Sequence, residues 1–322
     1  MQPAAPREPW PSVAVIVLNW NGTEDTLECL SSLMLLDYPR CEIVVVDNGS
    51  RISPRQVIAE QFPTVTYIET GDNLGYAGGN NVGIRHALAA GHDYVFVLNN
   101  DTVVEPDVLR RAVAVADSDP AIGVLGVKII AWDAPERIWV AYGQVTYRHG
   151  LVRLIGYYGQ DDGAFDTQRD VEWVPGTAML FSRRALETVG LFDEEFFAYH
   201  EDVDWCTLAR EQGFRVVFAP EPRIYHKGHR SSGGKGYVTP RQYLAGRTMV
   251  LYVRKHANAL QALKFLLFQL VTLPLQYVRR SVTGETAGVT SKVQGMLDAL
   301  RRRPIPFAQL GLRGASSPRS VP

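Results

Sequence analysis

Residues 13–22 have the sequence VAVIVLNWNG, in which six apolar residues lead directly into a polar segment rich in Asn and Gly. A continuous run of β-branched and aliphatic residues is typical of a strand that is buried on both faces of a sheet. Three more such runs follow, and segments with the apolar spacing of amphipathic helices separate them. The predicted strands lie at 13–18, 42–46, 65–69 and 94–98, and the predicted helices lie at 23–36, 78–90 and 106–116, with another beginning at Ser53-Pro54. This alternation predicts an α/β fold with a mostly parallel sheet flanked by helices.

Each predicted strand is followed by a polar loop. Ligands of parallel sheets bind beyond the carboxyl ends of the strands, which is the edge where these loops lie. Asn, Asp and Gly are also ordinary turn residues, and this explains any one of the loops by itself. Four such loops at one edge favour a site for a polar ligand. The loops are Asn19-Trp20-Asn21-Gly22, Asp47-Asn48-Gly49-Ser50, Gly71-Asp72-Asn73-Leu74-Gly75 and Asn99-Asn100-Asp101.

The triplet Asn99-Asn100-Asp101 directly follows the fourth predicted strand. A carboxylate at a strand end, with amides beside it, suits a hard divalent cation such as Mg²⁺ or Mn²⁺. Cations of this kind take oxygen ligands and share them with substrate phosphates. The same triplet is also good turn material, so the signal is weak when it is taken alone.

An acidic segment, Glu201-Asp202-Val203-Asp204, follows the largely aromatic residues 196–199. It lies at the start of a predicted helix at 203–212. In one interpretation Asp202 is the N-cap of that helix, and its acidic neighbours interact favourably with the positive end of the helix dipole. The other interpretation makes a carboxylate at this rim a general base, kept ionised by the helix N-terminus in a partly dry cleft.

A basic segment, Tyr225-His226-Lys227-Gly228-His229-Arg230, comes next, followed by Ser and Gly at 231–236. Imidazole is a candidate further metal ligand, and Lys or Arg can stabilise a departing diphosphate. A single His is more often structural or exposed. The Gly/Ser stretch is predicted equally well as a linker or as a lid over a bound donor.

Taken together and in this order, these segments resemble the family-two glycosyltransferases of GT-A (Rossmann-like) fold, especially their bacterial rhamnosyltransferase-like branch. The resemblance covers about residues 12–255, and its specificity lies in the combination of segments. The matching segments are VIVLNWNG (15–22), VVDNGS (45–50), NLGYAGGNNVG (73–83), LNNDT (98–102), VPGTAML (174–180) and HEDVD (200–204).

The resemblance implies a role for each matching position. The donor nucleotide-sugar would be bound by Asn19, Asn21, Asp47, Asn48, Asn73, Gly75, Asn80 and Asn100, with Asp47 on the base or ribose. Asp101 matches the metal-binding aspartate of the Asp-x-Asp motif, whose first position is Asn99 here, and His226 completes the metal site. Gly176 and Thr177 lie in the loop that admits the acceptor. Asp202 matches the catalytic base, and Glu201 helps to place the acceptor.

The implied reaction is an inverting displacement that moves a sugar onto an acceptor hydroxyl. The branch resemblance implies rhamnose from dTDP-rhamnose as the donor, with UDP-sugars next. The implied acceptor is a saccharide or lipid-linked saccharide in cell-surface polysaccharide or glycolipid synthesis. The Gln-x-x-Arg-Trp signature of processive synthases is missing from the sequence, which favours a single addition.

Charge is divided unevenly along the chain. From Arg254 onward the sequence has 11 Lys and Arg residues but only two acidic residues, Glu285 and Asp298. The whole chain, by contrast, has a net charge of −1. The apolar stretch 260–278 is interrupted by Lys264, Gln269 and Pro274, which favours an interfacial helix on an anionic membrane over a spanning helix. A helix packed on the catalytic domain is the nearly equal alternative.

The resulting domain prediction has four parts. Residues 1–11 form a disordered N-terminus, 12–250 the GT-A domain, 251–300 a helical extension, and 301–322 a disordered basic tail. Three scattered cysteines favour a reducing cytoplasmic location over a disulfide framework, with peripheral attachment at the inner face of the membrane.

Two other functions are weighed against this one. A non-catalytic module that binds a sugar nucleotide would have the same loops, although the combination of Asp101, Asp202 and His226 favours an enzyme. Nucleotidyl transfer usually needs a basic Gly-rich loop after the first strand, and residues 19–22 carry no basic side chain. Nucleic acid is not predicted as a partner, because the basic tail lacks interleaved aromatic residues.

Overall fold

The structure is a computed structural model, and it describes residues 10–148, 150–228 and 239–312. The predicted lid or linker at 231–236 therefore lies outside the described residues, as do residues 1–9 of the predicted N-terminal segment and 313–322 of the predicted tail.

The secondary structure alternates in the first half of the chain and is mainly extended strand in the middle. The strands are β1 (Val13–Asn19), β2 (Cys41–Asp47), β3 (Thr66–Glu69), β4 (Tyr94–Asn99), β5 (Thr102–Val104), β6 (Ile122–Ala131), β7 (Ala134–Val140), β8 (Tyr142–Val145), β9 (Val152–Ile155), β10 (Gly159–Gln160), β11 (Arg169–Asp170), β12 (Ala178–Ser182) and β13 (Arg215–His226). The helices are α1 (Thr23–Leu33), α2 (Arg55–Gln61), α3 (Gly75–Ala90), α4 (Val108–Asp117), α5 (Arg183–Val189), α6 (Glu201–Glu211), α7 (Thr239–His256), α8 (Ala259–Ser281) and α9 (Thr286–Leu300), with a 3₁₀ turn at Glu194–Phe196.

The first four strands form the predicted parallel sheet. β1 pairs in parallel with β2 and with β4, and β2 pairs in parallel with β3. Alternate residues of β1 enter two different core clusters, Val15 on one face and Ile16 on the other. The continuous apolar run is explained by this burial on both faces.

The second half of the chain extends this sheet with mixed strand directions. β12 pairs antiparallel with both β4 and β6, and β13 pairs in parallel with β6 and antiparallel with β5. The predicted α/β class with a mostly parallel core sheet between helices is confirmed, and the helical C-terminal extension is present. One consequence matters for the site: the end of β13 lies beside the loop that follows β4.

The predicted helix bounds differ from the observed ones at their ends. α1 ends at Leu33 rather than at residue 36, and α3 begins at Gly75 rather than at Gly78. α6 begins at Glu201, so Asp202 lies inside its first turn and is not the N-cap. The N-cap position belongs to His200, which has a left-handed backbone conformation with φ of 65°.

The C-terminal helices are joined to the catalytic half through α7. Asp204 on α6 accepts hydrogen bonds from Lys255 Nζ at 2.9 Å and from His256 Nε2 at 2.7 Å. Because Asp204 is buried, this charge-assisted pairing holds α7 firmly against α6. The extension begins with α7, and the predicted boundary at residue 250 falls inside this helix.

α8 is largely exposed to solvent. Among the described residues, it is the helix whose length and apolar composition are sufficient to cross a membrane. Only Phe265 and Gln269 of this helix are buried. Eight aliphatic side chains are 51–75% exposed: Leu260, Leu263, Leu266, Leu267, Leu270, Val271, Leu275 and Val278. The alternative that α8 packs broadly on the domain does not fit this exposure.

Candidate active site

A cavity of about 860 Å³ opens at the carboxyl edge of the parallel strands, where the sequence predicts a ligand site. Residues from β4, the loop before β12, the start of α6, α7 and α9 contribute to its wall. Ten of the predicted site residues line it: Asn48, Asn73, Gly75, Asn100, Asp101, Gly176, Thr177, Glu201, Asp202 and His226.

Four other predicted site residues, Asn19, Asn21, Asp47 and Asn80, are not among the described residues that line the cavity. Asp47 accepts hydrogen bonds from Asn19 Nδ2 at 2.7 Å and from Ser50 Oγ at 2.6 Å. These buried contacts hold the loops after β1 and β2 together. A contact between Asp47 and a nucleotide therefore remains a prediction.

The side chains of Asn21 and Asn80 form hydrogen bonds with backbone groups. Asn21 Oδ1 accepts a hydrogen bond from the Arg51 backbone N–H at 2.9 Å. Asn80 is fully buried within α3, where its Nδ2 donates to the Tyr76 carbonyl at 2.9 Å. Neither geometry brings the side chain to the cavity surface.

The loop that leads into α3 is held in place by an asparagine. Asn48 Nδ2 donates to the Gly75 carbonyl at 3.0 Å, and Asn48 Oδ1 accepts from the Leu74 N–H at 3.0 Å. Gly75 has φ of +75°, and a Cβ there would lie 2.3 Å from the Phe197 carbonyl oxygen. This close approach excludes other residues at position 75 and brings the aromatic run at 196–199 against the cavity.

The C-terminal segment covers the same side of the cavity. Asn73 Nδ2 donates to the Leu312 carbonyl at 2.9 Å, and residues 310–312 line the cavity. The Phe307 ring lies 5.1 Å from the Phe197 ring. The described part of the tail, residues 301–312, thus contacts the catalytic half rather than projecting from it.

Asp101 and His226 meet at the cavity although 125 positions separate them in the chain. His226 Nε2 lies 3.1 Å from Asp101 Oδ1, and both side chains are buried. The antiparallel pairing of β13 with β5 places His226 opposite Thr102, the neighbour of Asp101. Burial alone would raise the pKa of Asp101, but the hydrogen bond and charge of His226 hold that pKa below its usual value.

The chemistry of this pair suits a divalent cation. His226 Nδ1 is buried and has no hydrogen-bond partner in the part of the chain that the structure describes. No group of three or more His, Cys, Asp or Glu side chains is placed to hold a metal within the described residues. A carboxylate and an imidazole leave most coordination positions to substrate phosphates, as is usual for Mg²⁺ and Mn²⁺ at phosphate-transfer sites. The residues present therefore fit such an ion.

Asp202 lies in the first turn of α6 and accepts two backbone hydrogen bonds. The Gly176 N–H donates to Asp202 Oδ2 and the Val203 N–H donates to Asp202 Oδ1, each at 2.8 Å. Removal of water by the surrounding protein raises the pKa of Asp202 to about 6, and the two N–H groups oppose that rise. A carboxylate with this pKa is ionised at neutral pH and is more basic than an ordinary Asp.

Glu201, the neighbour of Asp202, is also a buried carboxyl group with a raised pKa. Burial, followed by the negative charge of Asp202, raises the pKa of Glu201 well above its ordinary value. Its Oε2 has no partner among the described residues. Adjacent carboxyl groups whose pKa values differ in this way can take different roles, with Glu201 as a neutral hydrogen-bond donor and Asp202 as a base.

Several residues at the cavity escape the sequence analysis. The Tyr76 hydroxyl donates to the Gly176 carbonyl, so the predicted acceptor loop is fixed by Tyr76 as well as by Asp202. Trp139 packs edge-on against His226, with ring centroids 5.0 Å apart. Tyr76 lies within the quoted segment 73–83, whereas no local pattern marks Trp139.

Lys227 does not lie where a cation for the leaving diphosphate would be expected. Lys227, considered as a cation for a leaving diphosphate, forms ion pairs with Asp25 at 2.8 Å and with Glu28 at 2.5 Å. Its side chain is 3% exposed, because these acids on α1 enclose it. Lys227 therefore fastens the Asp101–His226 region to α1, and Arg230 lies outside the described residues.

Comparison with known proteins identifies a family. The model for "Glycosyltransferase like family 2" matches residues 11–245. The low-salt glycan biosynthesis hexosyltransferase Agl10 of Haloferax volcanii is 28% identical over 206 residues, which are 63% of each chain. The match thus spans less than two thirds of that relative.

Two further relatives carry the name of a sugar. The N-acetylglucosaminyl-diphospho-decaprenol L-rhamnosyltransferase of Mycobacterium tuberculosis is 28% identical over 70% of this chain and 77% of its own. The dTDP-rhamnosyl transferase RfbF of Shigella flexneri is 24% identical over 81% of this chain and 86% of its own.

A solved structure shares the fold. The mannosyltransferase PcManGT of Pyrobaculum calidifontis, in complex with GDP-Man and Mn²⁺, superposes with a TM-score of 0.55. The superposition covers 92% of this chain and 88% of the other, at 17% identity. At this identity the likeness concerns the fold alone.

Proposed function

The chain belongs to the glycosyltransferase like family 2, and we propose that it is an inverting enzyme that moves rhamnose from dTDP-rhamnose onto an acceptor hydroxyl. Another sugar carried by UDP is the alternative donor. The observation that carries the proposal is the meeting of Asp101, His226 and Asp202 in one cavity. Asp101 and His226 come together only through long-range strand pairing, and Asp202 comes from a separate helix.

Asp202 would act as the general base. Its carboxylate takes the proton of the acceptor hydroxyl while that oxygen attacks the anomeric carbon of the donor. The backbone N–H groups of Gly176 and Val203 hold the carboxylate in one orientation. Glu201, neutral because of its raised pKa, would donate a hydrogen bond that places the acceptor.

Asp101 and His226 would hold a Mg²⁺ or Mn²⁺ ion that binds the donor diphosphate. When bound, the ion supplies charge stabilisation for the leaving nucleoside diphosphate. The chain's own contribution is to keep both ligands buried and close together, with the Asp101 carboxyl ionised. The lowered pKa of Asp101 serves that purpose.

The comparisons support the proposed donor and acceptor classes. The names of two relatives specify rhamnosyl transfer, one from a dTDP carrier and one onto a sugar linked through diphosphate to decaprenol. By analogy, the acceptor of this chain would be a lipid-linked saccharide in the synthesis of a cell-surface polysaccharide or glycolipid. The 860 Å³ cavity has room for a nucleotide-sugar and part of an acceptor.

A donor panel tests the proposal directly. Release of nucleoside diphosphate would be measured for dTDP-rhamnose, UDP-sugars and GDP-mannose, with Mn²⁺, with Mg²⁺ and with EDTA. We expect one donor, dTDP-rhamnose, to be turned over only when a divalent ion is present, because the Asp101 carboxylate is itself negative and cannot neutralise the departing diphosphate without a bound cation. Donor binding without turnover, even with lipid-linked acceptor extracts, would instead support the non-catalytic binding module.

α8 is the part of the chain that we propose to lie on the cytoplasmic face of an anionic membrane. It has no acidic residue, and Lys264, Arg279 and Arg280 accompany its exposed aliphatic side chains. α8 also contacts the turn between β8 and β9, since Gln269 Nε2 donates to the Arg148 carbonyl at 3.4 Å. Val152 and Leu154 of β9 line the cavity, so the hairpin that α8 contacts also contributes to the wall of the site.

Vesicle binding tests the attachment. The double variant Leu267→Glu/Leu270→Glu is expected to bind phosphatidylglycerol vesicles at least about tenfold more weakly, because two half-exposed leucines lose their apolar burial. Leu35→Glu, on an exposed leucine of the loop after α1, is the matched control and should bind like the wild type. Wild-type binding by the double variant in a co-sedimentation assay would contradict the proposal.

A further inference from the structure

The wall of the cavity formed by α7 and α9 carries basic side chains. Arg241 on α7 and Lys292 on α9 both line the cavity. The acids that line it are Asp101, Glu201 and Asp202, which come from the β4 loop and from α6. The described cavity wall therefore has its carboxylates on the catalytic half and its Lys and Arg side chains on the C-terminal extension.

Lys292 is buried for a lysine, with 5% of its surface exposed. Burial lowers the pKa of Lys292 to about 8, so its ammonium is poorly hydrated but still mostly charged at neutral pH. Its charge is felt nearby, since it adds to the effect of burial in lowering the pKa of His200 to about 4. An anion entering this part of the cavity would interact strongly with such a charge, because little water screens it.

The position of Lys292 is fixed by close packing of two helices. A Cβ on Gly246 of α7 would lie 2.1 Å from the Lys292 carbonyl oxygen, and a Cβ on Gly295 of α9 would lie 2.0 Å from the Tyr243 carbonyl oxygen. The two backbones are therefore in direct contact. The Tyr243 hydroxyl also donates to Asp298 Oδ2 at 2.9 Å. This packing holds a buried cation at one place in the wall before any substrate binds.

We propose that Arg241 and Lys292 form a second anion site in the cavity, which binds a diphosphate group of a substrate. The inference rests on the proposed function, because both a nucleotide-sugar donor and a prenyl-diphosphate-linked acceptor contain this group. Lys292 contributes a point charge, and the Arg241 guanidinium contributes a fork of N–H donors that matches phosphate oxygens. Lys227 is not among the described residues that line the cavity, and its ammonium lies against Asp25 and Glu28 of α1.

Charge removal at Lys292 tests the site. Lys292→Met keeps an unbranched side chain of nearly the same length and removes the charge. It is expected to raise the KM of the substrate bound there about 10- to 100-fold with little change in kcat. Arg241→Gln is expected to act in the same direction, and Lys292→Arg should restore most of the loss. Arg301→Met, at the exposed end of α9, is the matched control and should change neither constant.

A thermal melt separates binding from folding. A merely structural Lys292 would make Lys292→Met less stable, whereas removal of a buried charge from a binding site should leave the Tm unchanged or raise it. A lowered Tm with unchanged KM values would overturn the inference.

Direct titration identifies the source of the diphosphate. Full-length wild type and Lys292→Met would be titrated with dTDP, which represents the donor, and with farnesyl diphosphate, which represents the acceptor. Weaker binding of dTDP alone assigns the site to the donor, and weaker binding of farnesyl diphosphate alone assigns it to the acceptor. Unchanged binding of both probes by the variant overturns the inference. If the wild type turns over a donor, that result leaves the proposed function standing, whereas a wild type without turnover contradicts the proposed function itself.

Discussion

Asp202→Asn is expected to lower kcat about 10²- to 10⁴-fold, the usual contribution of a positioned general base. The amide cannot take the proton of the acceptor hydroxyl. It also offers only one oxygen where Asp202 accepts hydrogen bonds from both Gly176 and Val203, so one of these two contacts is lost. Because the hydrogen bonds of Asp202 go to Gly176 and Val203 and not to Asp101 or His226, donor affinity should change much less than kcat.

The pH dependence distinguishes a base from a structural carboxylate. In the wild type, log(kcat/KM) should fall with unit slope as the pH drops below about 6, since the pKa of Asp202 is raised to about 6 and only the ionised form accepts a proton. This fall below about pH 6 should be missing from the residual activity of Asp202→Asn. Asp119→Asn, on a partly exposed carboxylate that is not among the described residues lining the cavity, serves as the control and should keep both this pH dependence and the rate. Near-normal turnover by Asp202→Asn would rule out Asp202 as the base.

The parallel half of the fold is predictable because its signals are local. Each run such as Val13–Leu18 carries its own evidence of burial on two faces, and β1 to β4 appear within about two residues of their predicted ends. The strand order of the second, mixed half has no such local signal, because it depends on pairings like that of β12 with β4 across some 80 residues of chain. Local patterns do not encode contacts of that range.

The site is predictable as a set of residues but not as a geometry. Asp101 and His226 are each recognisable in their segments, yet only the β13–β5 register brings them within 3.1 Å. Asn19 and Asp47 are predicted to bind a ligand, but the structure gives them a different contact. Polar residues at strand ends suggest a ligand, but these two bond to each other, because buried polar groups in a folded chain need partners.

The C-terminal wall of the cavity shows what composition alone misses. Excess basic charge after Arg254 suggests an anionic surface as its partner, and α8 fits that interpretation. Lys292 belongs to the same basic excess but is buried at the cavity, where only the glycine-mediated contact of α7 with α9 places it. A count of charges cannot separate a residue facing a membrane from one facing a substrate.

Removal of the Asp101 carboxylate is expected to lower metal-dependent turnover about 10³-fold, because a divalent ion supplies several kcal/mol of charge stabilisation to the leaving group. Asp101→Asn keeps the shape of the side chain and its place beside His226. EDTA should abolish wild-type activity, and Mn²⁺ or Mg²⁺ should restore it. His226→Gln is expected to have a smaller effect, since an amide oxygen can still ligate a hard cation.

Mn²⁺ affinity, measured by electron paramagnetic resonance of the full-length protein with dTDP present, separates loss of the metal from loss of the fold. Asp101→Asn should bind Mn²⁺ more weakly while its circular dichroism stays unchanged. Asn99→Asp provides the opposite test, because Asn99 lines the cavity two residues before Asp101 and occupies the first position of the Asp-x-Asp motif. A second carboxylate there should tighten Mn²⁺ binding, since affinity for hard cations rises with the number of charged ligands. Wild-type affinity in both variants would show that the ion is not held at this strand end, and the assignment of Asp101 and His226 as its ligands would then be wrong.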